Sequence, residues 1–328
     1  MLLYRGDVLE KLKLDVPKTW TQYRAVQEAL NSAGELKNPE GKSLPTQTCE
    51  PIAGTWLADY FFARAAGSLV RQGRLSSYFD VESMKSLINT APFVDALEQI
   101  VAEHSLQARA EMTPADCYAA IAKGNAALAI TWPSSQPTLD TVSETLPIGV
   151  AALPGASRVY DYRDQMWKSI PIEDIGSTPL VPVAGRIASI TSNARRLKTA
   201  QRFVAWLMTA DANREFSAEF PDTLFTQTAQ LSSPFAWVNE QLPREAAQQM
   251  ADVLRSDHEH SLVLYNLRIP DRASYLRILS DAIRAALSGQ STPQAALDSA
   301  AQQWDALTDK ISRDRQRKFF QDSVRLEF

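Results

Sequence analysis

Apolar positions recur at helical spacing through most of the chain and alternate at strand spacing in only a few short stretches. In "LDVPKTWTQYRAVQEAL" (14–30), Trp20, Tyr23, Val26 and Leu30 fall on one helical face. Thr19 and Gln22 supply a T-x-x-Q capping box in front of that face, each side chain able to serve the other's backbone N–H. Residues 55–70, "TWLADYFFARAAGSLV", read as an aromatic helix. Another helix opens at Pro92 and runs to about 104 with Phe93, Leu97, Ile100 and Val101. Thr113 is the N-cap and Pro114 the first residue of the next, which Gly124 stops. Leu197, Ala200, Phe203, Val204, Leu207 and Met208 mark a strongly amphipathic helix. Residues 271–287, closed by Gly289, and a segment from Thr292–Pro293 to Ile311 form a C-terminal helical pair.

Strands are fewer. Ala126 to Trp132 reads as a short buried strand, and "IGVAALP" (148–154) as a second. "VAGRIASI" (183–190) reads as a third, with a glycine turn inside it. Residues 34–52 and 155–182, rich in Gly, Ser, Pro and polar residues, are expected to be loops. Helices outnumber strands but separate them, which points to an α/β fold with a small sheet. No repeat of 20–50 residues is present.

Length and composition narrow the classes. The chain has 328 residues, comfortable for two domains, with 45% hydrophobic and 22% charged residues, the mix of a soluble globular protein. A net charge of −4 gives no general attraction to nucleic acid. No run of about 18 apolar residues is present, so no transmembrane helix is expected. The opening "MLLYRGDVLEKLKLD" does not read as a signal peptide, because charges follow its short apolar run at once. Cys49 and Cys117 can form one disulfide in an oxidising compartment or remain as two buried thiols.

Candidate chemistry is thin. "EGKS" (40–43) has the end of a phosphate loop, but Leu36 stands where that loop needs glycine, so a solvated turn is the expectation. "HEH" (258–260) could offer two imidazoles to a metal if it lay on a strand, yet no third ligand is evident, and no metal or other cofactor is expected. No G-x-S-x-G or H-E-x-x-H motif occurs, and no pair of carboxylates stands out as general acid and base, so an enzyme is not expected. The aromatic residues are more telling. Among 7 Trp and 9 Tyr, Trp56, Tyr60, Trp132 and Trp167 stand at or beside element ends. Flat apolar faces with polar edges suit the C–H faces of a sugar ring, although core packing is the commoner use of any one aromatic.

Four blocks in order carry a resemblance. They are "LLYRGDVLEKLKLDVPKTWTQYRAVQEAL", then "FVDALEQIVAEH" with "CYAAIAKGNAALAITWPSS", then "IGVAALPG" with "VAGRIASITSNARRLKTAQRFVAWLMTAD", and finally "RIPDRASYLRILSDAIRAALSGQSTPQAALDSAAQQWDALTDK". Their sequence and spacing resemble the extracellular solute-binding proteins of ABC importers, the family that takes sugars, oligosaccharides and polyols. The resemblance implies an α/β, periplasmic-binding-protein-like (type II), helix-rich fold with two lobes closing on a carbohydrate-like solute. It implies a monomer that docks on the importer's permease subunits, with no chemistry done on the ligand. Carried onto this chain, the cleft residues are Thr55, Trp56, Tyr60, Trp132, Gly185 and Arg186.

The resemblance also implies a domain plan. Residues 1–184 are the first part of the second lobe, with 1–6 as the crossover strand; 185–240 belong to the first lobe; 241–328 return to the second. In that family the crossover follows most of a lobe, whereas here "LLYRGD" stands at 2–7, so on the order of 100 residues of the first lobe are expected to be lacking. The location implied is periplasmic or lipid-anchored outside the cytoplasm if a leader precedes Met1, and cytoplasmic if Met1 is the start. The alternative function is a cytoplasmic helical interaction protein, or a remnant that binds no ligand.

Overall fold

The computed structural model describes residues 1–38, 40–69, 76–105, 111–133, 146–171, 174–181, 188–219, 228–236, 238 and 242–325. At its centre is a mixed four-stranded sheet in the order β2–β3–β1–β4: β1 is Leu2–Arg5, β2 Thr48–Cys49, β3 Leu128–Ile130 and β4 Ile148–Ala151. β1 lies in the middle, antiparallel to β3 (Leu3 opposite Ala129) and to β4 (Leu3 opposite Val150), while β2 runs parallel to β3. The period of two is strict. Leu2, Leu128 and Ile130 enter the larger apolar cluster, and Leu3, Ala129, Ile148 and Val150 enter a second on the opposite face.

Helices cover both faces. The larger cluster gathers residues of α2 (Trp20–Ser32), α3 (Trp56–Leu69), α4 (Ala91–His104), α9 (Arg272–Leu287) and α10 (Pro293–Ile311), with the short α1 (Gly6–Leu12) following β1. The second cluster holds α5 (Pro114–Ala122) and α8 (Arg244–Glu259). Leu231 and Val238, within the expected first-lobe segment 185–240, pack in this second cluster beside Leu3 and Met250. The chain closes with α11 (Arg313–Arg325). Among the described residues, no helix is long and apolar enough to cross a membrane.

Caps form where the side chains allow them. Thr19 Oγ1 accepts from the Gln22 N–H at 3.1 Å and Gln22 Oε1 accepts from the Thr19 N–H at 3.1 Å. Thr113 makes the same reciprocal pair with Asp116, and Thr292 caps α10 ahead of Pro293. Gly124, at φ 70°, ends α5 in the left-handed conformation that favours glycine. In the core, Trp304 of α10 stacks on Phe79 at 5.3 Å and donates from Nε1 to the Tyr275 carbonyl at 2.9 Å, tying α10 to α9. The Arg64–Glu103 ion pair, 2.6 Å and buried at both ends, joins α3 to α4.

Four expectations change. Residues 34–52 are not all loop, because Thr48–Cys49 form β2 of the central sheet. Residues 155–182 are not all loop: β5 (Arg158–Asp161) and β6 (Met166–Ser169) form a hairpin, and β7 (Leu180–Val181) pairs in parallel with β8 (Leu264–Tyr265). These strands are too short, and the hairpin too exposed, for alternation to show in the sequence. What holds the hairpin is the facing pair Tyr160 and Trp167, edge to face at 5.4 Å, with the Arg158 guanidinium 4.2 Å over the Trp167 ring. The strands expected at 126–132 and 148–154 contract to β3 and β4. The strand expected at 183–190 lies mostly outside the described residues, and 188–190 carry none.

The amphipathic helix is present as α6 (Leu197–Leu207), followed by α7 (Ala210–Glu219), but α6 buries none of its side chains. Phe203 is 57% exposed and Trp206 44%.

Candidate solute-binding site

Two tryptophans distant in sequence meet at the ends of two buried elements. Trp56 opens α3 and Trp132 follows β3. Their ring centroids lie 5.4 Å apart with planes tilted at 48°. α3 runs from the surface into the core, so Trp56 in its first turn is 38% exposed. Trp132 is half-buried, packed against the larger core on one side. Together they present an aromatic face with an open side.

The turn that carries Trp56 is fixed from three directions. Gly54 takes φ +54°, the region glycine favours, with only open space where a Cβ would stand. The Ala53 N–H donates to the Met112 carbonyl at 3.0 Å, and Arg284 Nη2 of α9 donates to the Gly54 carbonyl at 2.9 Å. The exposed Thr55 starts the helix, its carbonyl accepting from the Ala58 N–H at 3.1 Å. On the other strand, Thr131 Oγ1 donates to the Pro114 carbonyl at 2.7 Å and so ties the end of β3 to α5.

Beyond Trp132 lies a cavity of about 210 Å³. Ile130, Leu153, Leu180 and Leu254 make much of its wall, and Asp257 and His258 stand among its polar groups. Burial pushes the Asp257 carboxyl above the usual range, partly offset by the Met1 amino group and then by His260 and His258. One turn into α3, Asp59 accepts from Asn266 Nδ2 at 2.7 Å and from Arg272 Nη2 at 3.1 Å. Burial raises the Asp59 carboxyl as well, against the pull of both donors. This network joins α3 to the residue after β8 and to α9. A mostly apolar wall with few polar groups is the ordinary make-up of a small-molecule pocket.

The structure thus brings Thr55, Trp56 and Trp132 together. Tyr60, expected beside them, is wholly buried: helical spacing gives it the side of α3 that Trp56 shares, but the helix has by then entered the core. Gly185 and Arg186 lie outside the described residues. Leu153, Leu180, Asp257 and Arg284 carry no local motif, and only the folded arrangement places them at the site.

The other candidates resolve simply. His258 and His260 do not share a strand face; His258 sits in the last turn of α8 and His260 caps it. Among the described residues no three His, Cys, Asp or Glu side chains form a group able to hold a metal ion. "EGKS" is a turn that satisfies itself: Asn38 Oδ1 accepts from the Glu40 and Lys42 N–H groups, and Gly41 takes φ +77°. Cys49 and Cys117 are buried in the second core cluster and not joined in a disulfide, and burial, with Cys49 nearby, pushes the Cys117 thiol up.

Residues 1–214 match the model of the bacterial extracellular solute-binding protein family, and the chain belongs to that family. Its fold is that of the periplasmic binding proteins. It is similar to maltose-bound MalE3 of T. maritima, with a TM-score of 0.61 at 19% identity over 93% of this chain and 70% of that one. It is also similar to an ABC transporter solute-binding protein of Agrobacterium radiobacter K84 in complex with ribitol, with a TM-score of 0.63 at 20% identity over 93% and 68%. The sugar-binding protein MalE of Xanthomonas citri aligns with a TM-score of 0.59 at 16% identity over 94% and 68%. Curated protein sequences give no match.

Proposed function

We propose that this chain binds a carbohydrate-like solute, a sugar, oligosaccharide or polyol, against the Trp56–Trp132 face and delivers it to the membrane subunits of an ABC importer outside the cytoplasm. The observation that carries the proposal is the tilted indole pair at 5.4 Å, with Trp56 38% exposed and Trp132 lining a largely apolar cavity. Indole faces stack on sugar C–H groups, and in this proposal the exposed Thr55 hydrogen-bonds the ring's hydroxyls. Family membership supports the transport role, and the ligands named for similar structures, maltose and ribitol, support the solute class.

In this proposal the solute lies between the lobe built on the central sheet and a lobe to which α6 and α7 belong, and closure favours the bound form. The test is thermal denaturation of the protein against a panel of sugars, polyols and amino acids. A saturable rise in melting temperature with a sugar or polyol, lost in Trp132→Ala, is expected. Identical melting curves across the panel would sink the proposal.

A further inference from the structure

A second cavity lies on the larger-core side, away from the tryptophan pair. It encloses about 440 Å³ between α2, α3, α4 and the segment Gly155–Arg158. Its wall is polar and more cationic than anionic: Arg24, Arg64 and Arg158 face Asp95 and Glu103. The Arg64 side chain is fully buried. Its Nη2 donates to Glu103 Oε1 at 2.6 Å and to Gln99 Oε1 at 3.3 Å, but Nε and Nη1 donate to nothing. The guanidinium carbon lies 4.0 Å over the Trp20 ring, a cation–π contact that helps to hold the group in place.

The lip of the cavity is built as firmly. The Trp20 N–H donates to the Gly155 carbonyl at 3.1 Å and the Gly155 N–H to the Lys18 carbonyl at 2.8 Å. A Cβ at Gly155 would stand 2.1 Å from the Gly176 carbonyl oxygen, so no other residue fits there unmoved. Arg158 closes the far side by its 2.5 Å pair with Asp95, and Ser68 Oγ donates to the Arg158 carbonyl at 3.2 Å.

Buried donors in native proteins find acceptors, and the Arg64 Nε–H and Nη1–H, on different edges of the guanidinium, each call for one oxygen acceptor. We propose that this cavity is a second binding site, for a small oxyanion bearing a carboxylate or phosphate group, with Arg64 as the fixed donor and Arg24 and Arg158 at the mouth. Arg24, Arg64 and Arg158 pair with Glu28, Glu103 and Asp95, so the site takes the anion through its unused hydrogen-bond donors rather than through net charge.

The experiment is thermal denaturation of the whole chain in inorganic phosphate and, separately, in succinate, with ionic strength held constant by sodium chloride. A saturable rise in melting temperature with at least one anion is expected, with the half-saturating concentration raised at least fivefold in Arg24→Gln and in Arg158→Gln and the rise abolished in Arg64→Gln. Should Arg64→Gln fail to fold, the double variant Arg24→Gln/Arg158→Gln decides the matter. A response to one anion alone identifies the group recognised. Trp132→Ala must leave the anion effect intact, which separates this site from the proposed solute site. A rise no greater than chloride gives, or one unchanged in Arg24→Gln and Arg158→Gln, would overturn the proposal and leave water as the acceptor.

Discussion

Trp56 and Trp132 stand with ring centroids 5.4 Å apart and planes tilted at 48°, brought together by the start of α3 and the end of β3. Neither ring could form this face alone, since Trp132 is half-buried against the core and Trp56 projects from a helix end. A stacking residue at the centre of a site typically costs about 2 kcal/mol when truncated, roughly thirty-fold in affinity. Trp132→Ala is expected to weaken solute binding by that order, and Trp132→Phe, which keeps an aromatic face, by less than tenfold. Calorimetric titration with the sugar or polyol that raises the melting temperature makes the measurement; equal affinities for all three proteins would remove Trp132 from the site.

Arg284 reaches the same site from α9. Its guanidinium donates to the Gly54 carbonyl at 2.9 Å and pairs with Glu111 at 3.1 Å. The pair with Glu111 is largely exposed and contributes little to stability, in the range of about 0–1 kcal/mol. The bond to Gly54 restrains the turn that aims Trp56. Arg284→Met should therefore leave the melting temperature nearly unchanged while weakening solute binding several-fold. It should also reduce the coupled-indole signal of Trp56 and Trp132 in circular dichroism. An intact indole signal in a weakened variant would show that Arg284 does not act through Trp56.

How much of this was legible in the sequence depends on distance along the chain. The Thr19–Gln22 box, the Thr113 cap and the Gly124 stop are local and form as the residues predict. Trp56 and Trp132 could each be singled out for their position at an element end, but their contact needs the sheet to place β3. Tyr60 shows the limit of periodicity, which assigns a side of a helix and says nothing of depth. Arg284 reads as one more charged residue on an amphipathic helix, and its partner is a carbonyl that no sequence displays. The hairpin β5–β6 was hidden because its strands have four residues each and bury only Val159.

The α2 cap offers a clean test of the local argument. Thr19→Ala removes the acceptor for the Gln22 N–H and leaves Gln22 with half of the reciprocal pair. Loss of such a cap costs about 1 kcal/mol. The urea midpoint should fall accordingly, with an unchanged slope, while Thr19→Asn should recover most of the loss. A midpoint equal to the parent's would mean that the Trp20–Gly155 hydrogen bond alone fixes the start of α2.

Asp59 predicts a pH dependence. Burial raises its carboxyl above the ordinary 3.8, with Asn266 and Arg272 opposing. The folded protein then holds a proton at Asp59 more readily than the unfolded chain does. Its contribution to stability is fully present below the unfolded value and is lost as pH rises through the folded value. Above the folded value Asp59 is ionised at a cost, which Asp59→Asn removes while keeping an oxygen for Asn266. The variant's stability relative to the parent should therefore be highest at neutral pH and decline as pH is lowered towards the carboxylate range. Urea denaturation of both proteins at several pH values measures the difference, and a difference that grows on acidification would contradict the assignment.

The apolar side of α6 sets the behaviour of the protein at high concentration. Phe203 and Trp206 stack at 5.9 Å with planes 28° apart, and Phe216 of α7 meets Trp206 edge-on at 6.1 Å, yet Phe203 and Trp206 remain 57% and 44% exposed. Leu197, the first residue of α6, and Met208, just past its end, are also 51% and 56% exposed. An exposed apolar patch of contiguous aromatic residues promotes association, because burying it against another molecule removes apolar area from water. Sedimentation velocity should show the sedimentation coefficient rising with protein concentration. Phe203→Ser/Trp206→Ser should suppress that rise without lowering the melting temperature, since α6 buries no side chain in the fold described. If the double variant associates as strongly as the parent, the contact lies elsewhere on the surface; if it melts much earlier, α6 carries packing that its exposure does not reveal.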